Sequence, residues 1–232
     1  MHSFAPHSRK IPDTAPAKPT KGLVLKGGWR YDLHGWLFDT FWFHGQGRQL
    51  RQKAAALADL HSGEQVLDVG CGTGTLALDV QRRVGSTGRV VGIDPSAEQI
   101  AHARVKAARR RVPVEFQLGV IEQLAFPDQT FDVVYSTLMM HHLPVSLKRQ
   151  GLAEIARVLK PGGRLVIADF MRKQERAGQA ARFHAGGSSP QELAALVMDA
   201  GFDWPEMEDL RPVRFSAFPG ASLLRAHKRE DA

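Results

Sequence analysis

Residues 66–74 read Val66-Leu67-Asp68-Val69-Gly70-Cys71-Gly72-Thr73-Gly74, and this stretch decides the fold. A short apolar run carrying one carboxylate ends in glycines at alternate positions, and from Thr75 the chain takes up a helical pattern (TLALDVQRRVG). The unit is strand, glycine loop, helix. Glycines at 70, 72 and 74 let the backbone turn tightly and let a ligand approach it without meeting a Cβ. In open α/β sheets ligands bind beyond the C-terminal ends of the strands, near the switch in strand order, where such a loop falls.

Outward from this unit the chain alternates regularly. Helices are expected over 48–60, from 75 to about 85, and over 95–111, 146–160 and 189–202. Strands are expected over 64–70, 89–94, 112–119, 130–137 and 164–170, with two more over 207–215 and 221–228 around Phe218-Pro219-Gly220. Pro161-Gly162-Gly163 should stop the helix that precedes it. The alternation predicts an α/β fold: a doubly wound, mostly parallel seven-stranded sheet, Rossmann-like, with an antiparallel hairpin at one edge.

Before residue 48 the chain changes character. Residues 1–25 hold Pro6, Pro12, Pro16 and Pro19 among Lys, Ser and Thr, and read as a disordered arm. Residues 26–46 are the most aromatic part of the chain, with Trp29, Trp36, Trp42, Tyr31, Phe38, Phe41 and Phe43. On a helical wheel Asp32 and Asp39 share one narrow face, so such a helix needs cover on several sides. It is expected to pack on the remaining domain, 47–232, and to line a pocket.

Composition bounds the rest. A hydrophobic share of 43% over 232 residues supports one sizeable core, and no apolar run approaches the ~20 residues of a membrane span. No signal-peptide pattern opens the sequence, so a cytoplasmic location is the expectation. The single cysteine, Cys71, gives no internal disulfide, and no metal cluster is read. The net charge of +7 is densest over Arg104–Arg111, at the end of an expected helix, where cations complement the dipole and face water. No nucleic-acid module accompanies it.

Two carboxylates narrow the ligand. Asp94 ends the second strand, 20 residues after Gly74, placed to accept from the ribose hydroxyls of an adenosine ligand. Asp68 precedes the glycines, where an anion repels pyrophosphate and attracts a cation. Thr75 stands where dinucleotide-binding loops prefer a third glycine. Together they favour S-adenosylmethionine, a sulfonium, over NAD or FAD.

With these residues in view a resemblance is plain. VLDVGCGTG (66–74), VVGIDPSAEQI (90–100), FPDQTFDVVYS (126–136) and EIARVLKPGGRLVIADF (154–170) resemble, in order and spacing, the motifs of class I S-adenosylmethionine-dependent methyltransferases. The most similar group is type 11, which includes quinone-biosynthesis C-methyltransferases, and the likeness covers roughly 48–170. It implies that Gly70, Gly72, Thr73 and Gly74 hold the methionine end of the cofactor, Asp94 the ribose, and the Thr137 backbone its amino-acid part. It also implies that 26–46 folds over the acceptor as a lid. One position departs: Val120 stands where the family often has an Asp that accepts from adenine. Valine cannot accept, which leaves the Ile121 N–H and apolar packing for the base.

Methyl transfer from a sulfonium is an in-line displacement by a nucleophile already on the acceptor, so alignment and exclusion of water carry most of it. A base is needed only if the acceptor holds its proton, and His141, beside His142 just past the fourth strand, is the candidate. The plainer alternative has one of the pair capping or packing the next helix. Cys71 reads as a small residue that fits its loop, Met139 and Met140 as pocket lining or core, and His184 as a loop histidine, while His34 and His44 flank the aromatic helix toward the pocket with no role assigned. The aromatic segment points to a small hydrophobic acceptor: a quinone, lipid or aromatic metabolite. Contact with a membrane surface and phospholipid N-methylation would fit it as well. A nicotinamide-dependent oxidoreductase and a non-catalytic nucleoside-binding domain are the readings from other classes.

Overall fold

A computed structural model describes residues 45–170, 188–211 and 221–230. The expected arm (1–25), nearly all of the expected lid (26–46), and with them His34, His44 and His184, lie outside the described residues.

Strand β1 (Gln65–Val69) sits inside a seven-stranded sheet of order β3-β2-β1-β4-β5-β7-β6. The other strands are β2 (Arg89–Asp94), β3 (Val114–Leu118), β4 (Phe131–Thr137), β5 (Leu159–Asp169), β6 (Glu206–Leu210) and β7 (Ala221–His227). The first five run parallel, and β7 is antiparallel to both β5 and β6. The order reverses between β1 and β4, beside the glycine loop, as the sequence predicts.

Helices α1 (Gln46–Leu57), α2 (Thr75–Val84) and α3 (Ala97–Arg110) contribute Leu50, Leu76, Leu78 and Ile100 to a core with Val66, Val90 and Tyr135. Helices α4 (Val145–Val158) and α5 (Pro190–Asp199) contribute Leu152, Ile155, Leu193 and Val197 to a second core with Leu67, Val69 and Ile93. Neighbours Val66 and Leu67 fall in different cores because successive strand side chains point to opposite faces. Both faces being covered, β1 and β2 are almost continuously apolar. Each fully buried Leu or Val stabilises the fold by roughly 1.5–3 kcal/mol.

Local chemistry explains the helix starts. The Ser96 side chain accepts from Gln99 N–H ahead of α3, and Ser189 with Glu192 forms a capping box before Pro190 of α5. Several boundaries differ from expectation. Helix α1 spans Gln46–Leu57 rather than 48–60, because Gly45 (φ 74°) precedes it and Asp59 (φ 50°) lies in the left-handed region beyond it. Helix α4 stops at Val158, before the Pro-Gly-Gly. Leu159 already pairs with Phe131, and the register then jumps to Val133 opposite Arg164. Residues 161–163 are thus bulged out of β5, with Gly162 at φ 68° donating its N–H to Lys228 O. Strand β6 spans Glu206–Leu210, and positions 212–215 of the expected strand lie outside the described residues.

Candidate active site

The glycine loop is pinned to the end of β2. Gly70 and Cys71 N–H both donate to Ile93 O at 2.8 and 2.9 Å, and Gly74 N–H donates to Cys71 O. Asp94 completes the link: Oδ2 accepts from Gly72 N–H at 3.0 Å and Oδ1 from Ser96 N–H at 2.9 Å. Each oxygen keeps a second lone pair for a ligand donor. Burial raises the Asp94 carboxyl above its ordinary range, while the two N–H groups pull it back.

All three loop glycines have positive φ, but their surroundings differ. A Cβ on Gly70 would lie 2.9 Å from Met139 Cγ, and one on Gly74 would lie 2.4 Å from Phe116 Cζ. Those two are glycine because protein packs against them. At Gly72 a Cβ would meet nothing within 4 Å. The close approach of a ligand, expected at all three, is therefore left to Gly72.

Beneath the loop Asp68 is buried, and neither of its carboxylate oxygens has a hydrogen-bond partner among the described residues. Burial first, and then the charge of Asp94, push its carboxyl up to about 7; the Ala77 N–H pulls the other way without completing a hydrogen bond. An orphaned anion next to an open glycine suits a cationic ligand. Cys71 has its thiol raised by burial and by the charges of Asp68 and Asp94, which keeps it protonated and inert.

Thr73 is buried, and its hydroxyl accepts from Lys106 Nζ at 2.7 Å, the same ammonium reaching Thr75 Oγ1 at 3.2 Å. Lys106 belongs to the basic run expected to face water. It is a correction to that reading: on α3 it turns inward and ties down the loop, whereas Arg109 and Arg110 are exposed as expected.

Gly119 N–H donates to Asp94 O at 3.2 Å, which sets Val120 and Ile121 beside the end of β2. Both side chains are buried, and Ile121 fills the space over Gly151, whose Cβ would lie 2.6 Å from it. The following segment hangs from one residue of α4. Arg157 donates to Leu124 O, Phe126 O and Asp128 Oδ1, all at 2.8 Å, and is paired with Glu154, which in turn accepts from Leu124 N–H. The hydrogen bond from Arg157 lowers the Glu154 carboxyl.

At the neighbouring strand end, Thr137 closes β4 opposite Ala168, and Leu138 turns the chain at φ 55°. Met139 then lies over Gly70, and Met140–His142 form a 3₁₀ turn. His141 is buried, and its Nδ1 is hydrogen-bonded to Oδ1 of Asp169, the last residue of β5. The rings of His142 and Phe170 flank it, with centroids 3.8 and 5.3 Å away.

The fold thus gathers Asp68, Gly70, Gly72, Thr73, Gly74, Asp94, Val120 and Ile121 around one loop, and Thr137 and His141 at the adjoining end of β4. Sequence reasoning missed Lys106, Arg157 and Asp169. Asp169 carried a usable signal, since it is a carboxylate at the C-terminal end of a parallel strand, as Asp94 is. Among the described residues no group of three or more His, Cys, Asp or Glu could hold a metal ion, and no helix is long and apolar enough to cross a membrane.

An adenosyl sulfonium fits this cradle, as the orphaned Asp68 and the uncrowded Gly72 indicate. Comparison with known proteins agrees. A family described as "Methyltransferase domain" matches residues 66–163. The chain is 30% identical to 27-O-demethylrifamycin SV methyltransferase of Amycolatopsis mediterranei over 219 residues, covering 83% of this chain and 78% of the relative. It is 32% identical to a ubiquinone/menaquinone biosynthesis C-methyltransferase of Hydrogenovibrio crunogenus, covering 82% and 73%. A solved methyltransferase of Aquifex aeolicus superposes with a TM-score of 0.63 at 25% identity, over 76% of this chain and 88% of that one. Loop, carboxylates and relatives converge, and the chain belongs to the S-adenosylmethionine-dependent methyltransferases.

Proposed function

We propose that this methyltransferase acts on a small hydrophobic acceptor of the quinol or phenol class, with His141 as general base. The observation that carries the reading is the wall between the glycine loop and the end of β5. Met139 lies over Gly70, and Phe170 packs on a buried His141. Such a surface limits the access of water and sets an imidazole beside apolar groups. Relatives named for 27-O-demethylrifamycin SV and for ubiquinone/menaquinone biosynthesis support an acceptor of this kind.

Bound S-adenosylmethionine supplies an electrophilic methyl group. Asp68 offers its anion to the cationic end, Gly72 gives backbone access, Asp94 receives the ribose, and Ile121 with Val120 packs on the base. Thr137 offers its backbone to the amino-acid part. His141 receives the acceptor's proton. The aromatic segment 26–46, in this reading, closes over the acceptor.

The test is label transfer from methyl-labelled cofactor to 1,4-naphthoquinol, to phenol and to phosphatidylethanolamine vesicles. Label in the quinol or phenol is the expected result. Label in the vesicles alone would replace this reading with lipid N-methylation, and label in none of the three would overturn it.

A further inference from the structure

Helix α3 turns one residue toward the glycine loop that its packing does not explain. Its inward face carries Ile100, Ala103 and Ala107, all buried. A Cβ on Gly74 would lie 3.2 Å from the Ala103 Cβ, so helix and loop are already in touch. Lys106 stands three residues beyond Ala103 and shares that side of the helix. Its ammonium reaches Thr75 Oγ1, on the first residue of α2, at 3.2 Å. A helix N-terminus favours anions, so α2 itself gives no reason for a cation there. The loop does. Lys106 Nζ donates to Thr73 Oγ1 at 2.7 Å, and a hydrogen bond from a charged donor is about twice as strong as a neutral one. The bonds to Ile93 O and Asp94 fasten Gly70, Cys71 and Gly72 to β2. Thr73 lies beyond them, inside the turn that Gly74 N–H closes on Cys71 O at 2.9 Å. That half of the loop is reached from α3.

We propose that Lys106 is a positioning residue for the cofactor: through Thr73 it holds the far half of the glycine loop in the shape that receives S-adenosylmethionine. The inference rests on the reading of this loop as the cofactor's seat. Lys106 takes no part in methyl transfer and acts only through the threonine. Without its ammonium the turn over 71–74 samples other shapes, and binding must first order it, which lowers affinity. The bonds on the β2 side remain, so the loss is partial.

Three variants of the full chain test this. Lys106→Met keeps the stem and removes the ammonium, Thr73→Val keeps the shape and removes the hydroxyl, and the third carries both. In the cofactor-free protein, amide hydrogen exchange at Gly74 should quicken about 5- to 10-fold in each, while the amides of β4 change far less. Affinity for S-adenosylhomocysteine by calorimetry should weaken about tenfold in either single variant. The double variant should lose scarcely more, because both groups act through one bond. A lysine that only stabilised the fold would quicken exchange throughout, and its loss would add to that of Thr73→Val. Unchanged exchange at Gly74 overturns the proposal, and so does unchanged affinity in Lys106→Met or an additive double variant. Wild-type protein with no affinity for S-adenosylhomocysteine overturns the reading of the loop and takes the proposal with it, a result distinct from all three.

Discussion

Gly72 and Gly74 are two residues apart and do different work. Both have positive φ, which costs an alanine about 1–2 kcal/mol. Gly74→Ala also drives a methyl into Phe116, so its melting temperature should fall well below that of Gly72→Ala. Gly72→Ala should fold and lose cofactor affinity instead. Thermal melts and calorimetry with S-adenosylhomocysteine separate the two, and equal melting would contradict this division. Asp94→Ala removes the acceptor of the Gly72 and Ser96 N–H groups along with the carboxylate proposed to receive the ribose. Affinity by calorimetry should weaken about 10- to 100-fold, as loss of a charged hydrogen-bond partner implies. An unchanged value would mean the ribose is held elsewhere.

At the scale of elements, α4 carries the segment that follows β3 as cargo. Arg157 holds carbonyls of Leu124 and Phe126 that have no helix or strand of their own to pair with. Removing it strands them. Arg157→Ala should destabilise the chain by about 2 kcal/mol, or roughly 4–8 °C in melting temperature. Cofactor affinity should fall with it, because the tether reaches back to Val120 and Ile121. A variant that melts lower yet binds as before would show that the segment keeps its shape unaided.

Across the whole molecule the strands and helices were legible because periods of two and 3.6 residues are local signals. The glycine loop and Asp94 were legible for the same reason, as chain-end chemistry on adjacent elements. Lys106 with Thr73, and Asp169 with His141, join residues 33 and 28 positions apart, and nothing local in the sequence marks such a pair. The break at Val158 was hidden because Leu159 and Lys160 suit a helix as well as a strand; the pairing of Leu159 with Phe131 decided it. Asp68 sets a global property. It stands among Asp94, Cys71 and Tyr135, and its carboxyl is raised from 3.8 to about 7 in the folded chain. Between these values the folded chain holds a proton that the unfolded chain has lost, so raising the pH favours unfolding. The cost is complete above about pH 7 and is on the order of 4 kcal/mol. The cofactor-free melting temperature should fall from about pH 5 to about pH 7, and Asp68→Asn should flatten the slope. A wild-type profile as flat as the variant's would contradict the burial argument.

Because the loop over β1 is already fastened to Ile93 and Asp94, an arriving nucleoside finds its receptor set in advance. At this loop no chain need be ordered at the moment of capture, and association there escapes that entropic penalty. The heat-capacity change from this part of the site should then follow the apolar area covered, without the larger signature that accompanies coupled folding.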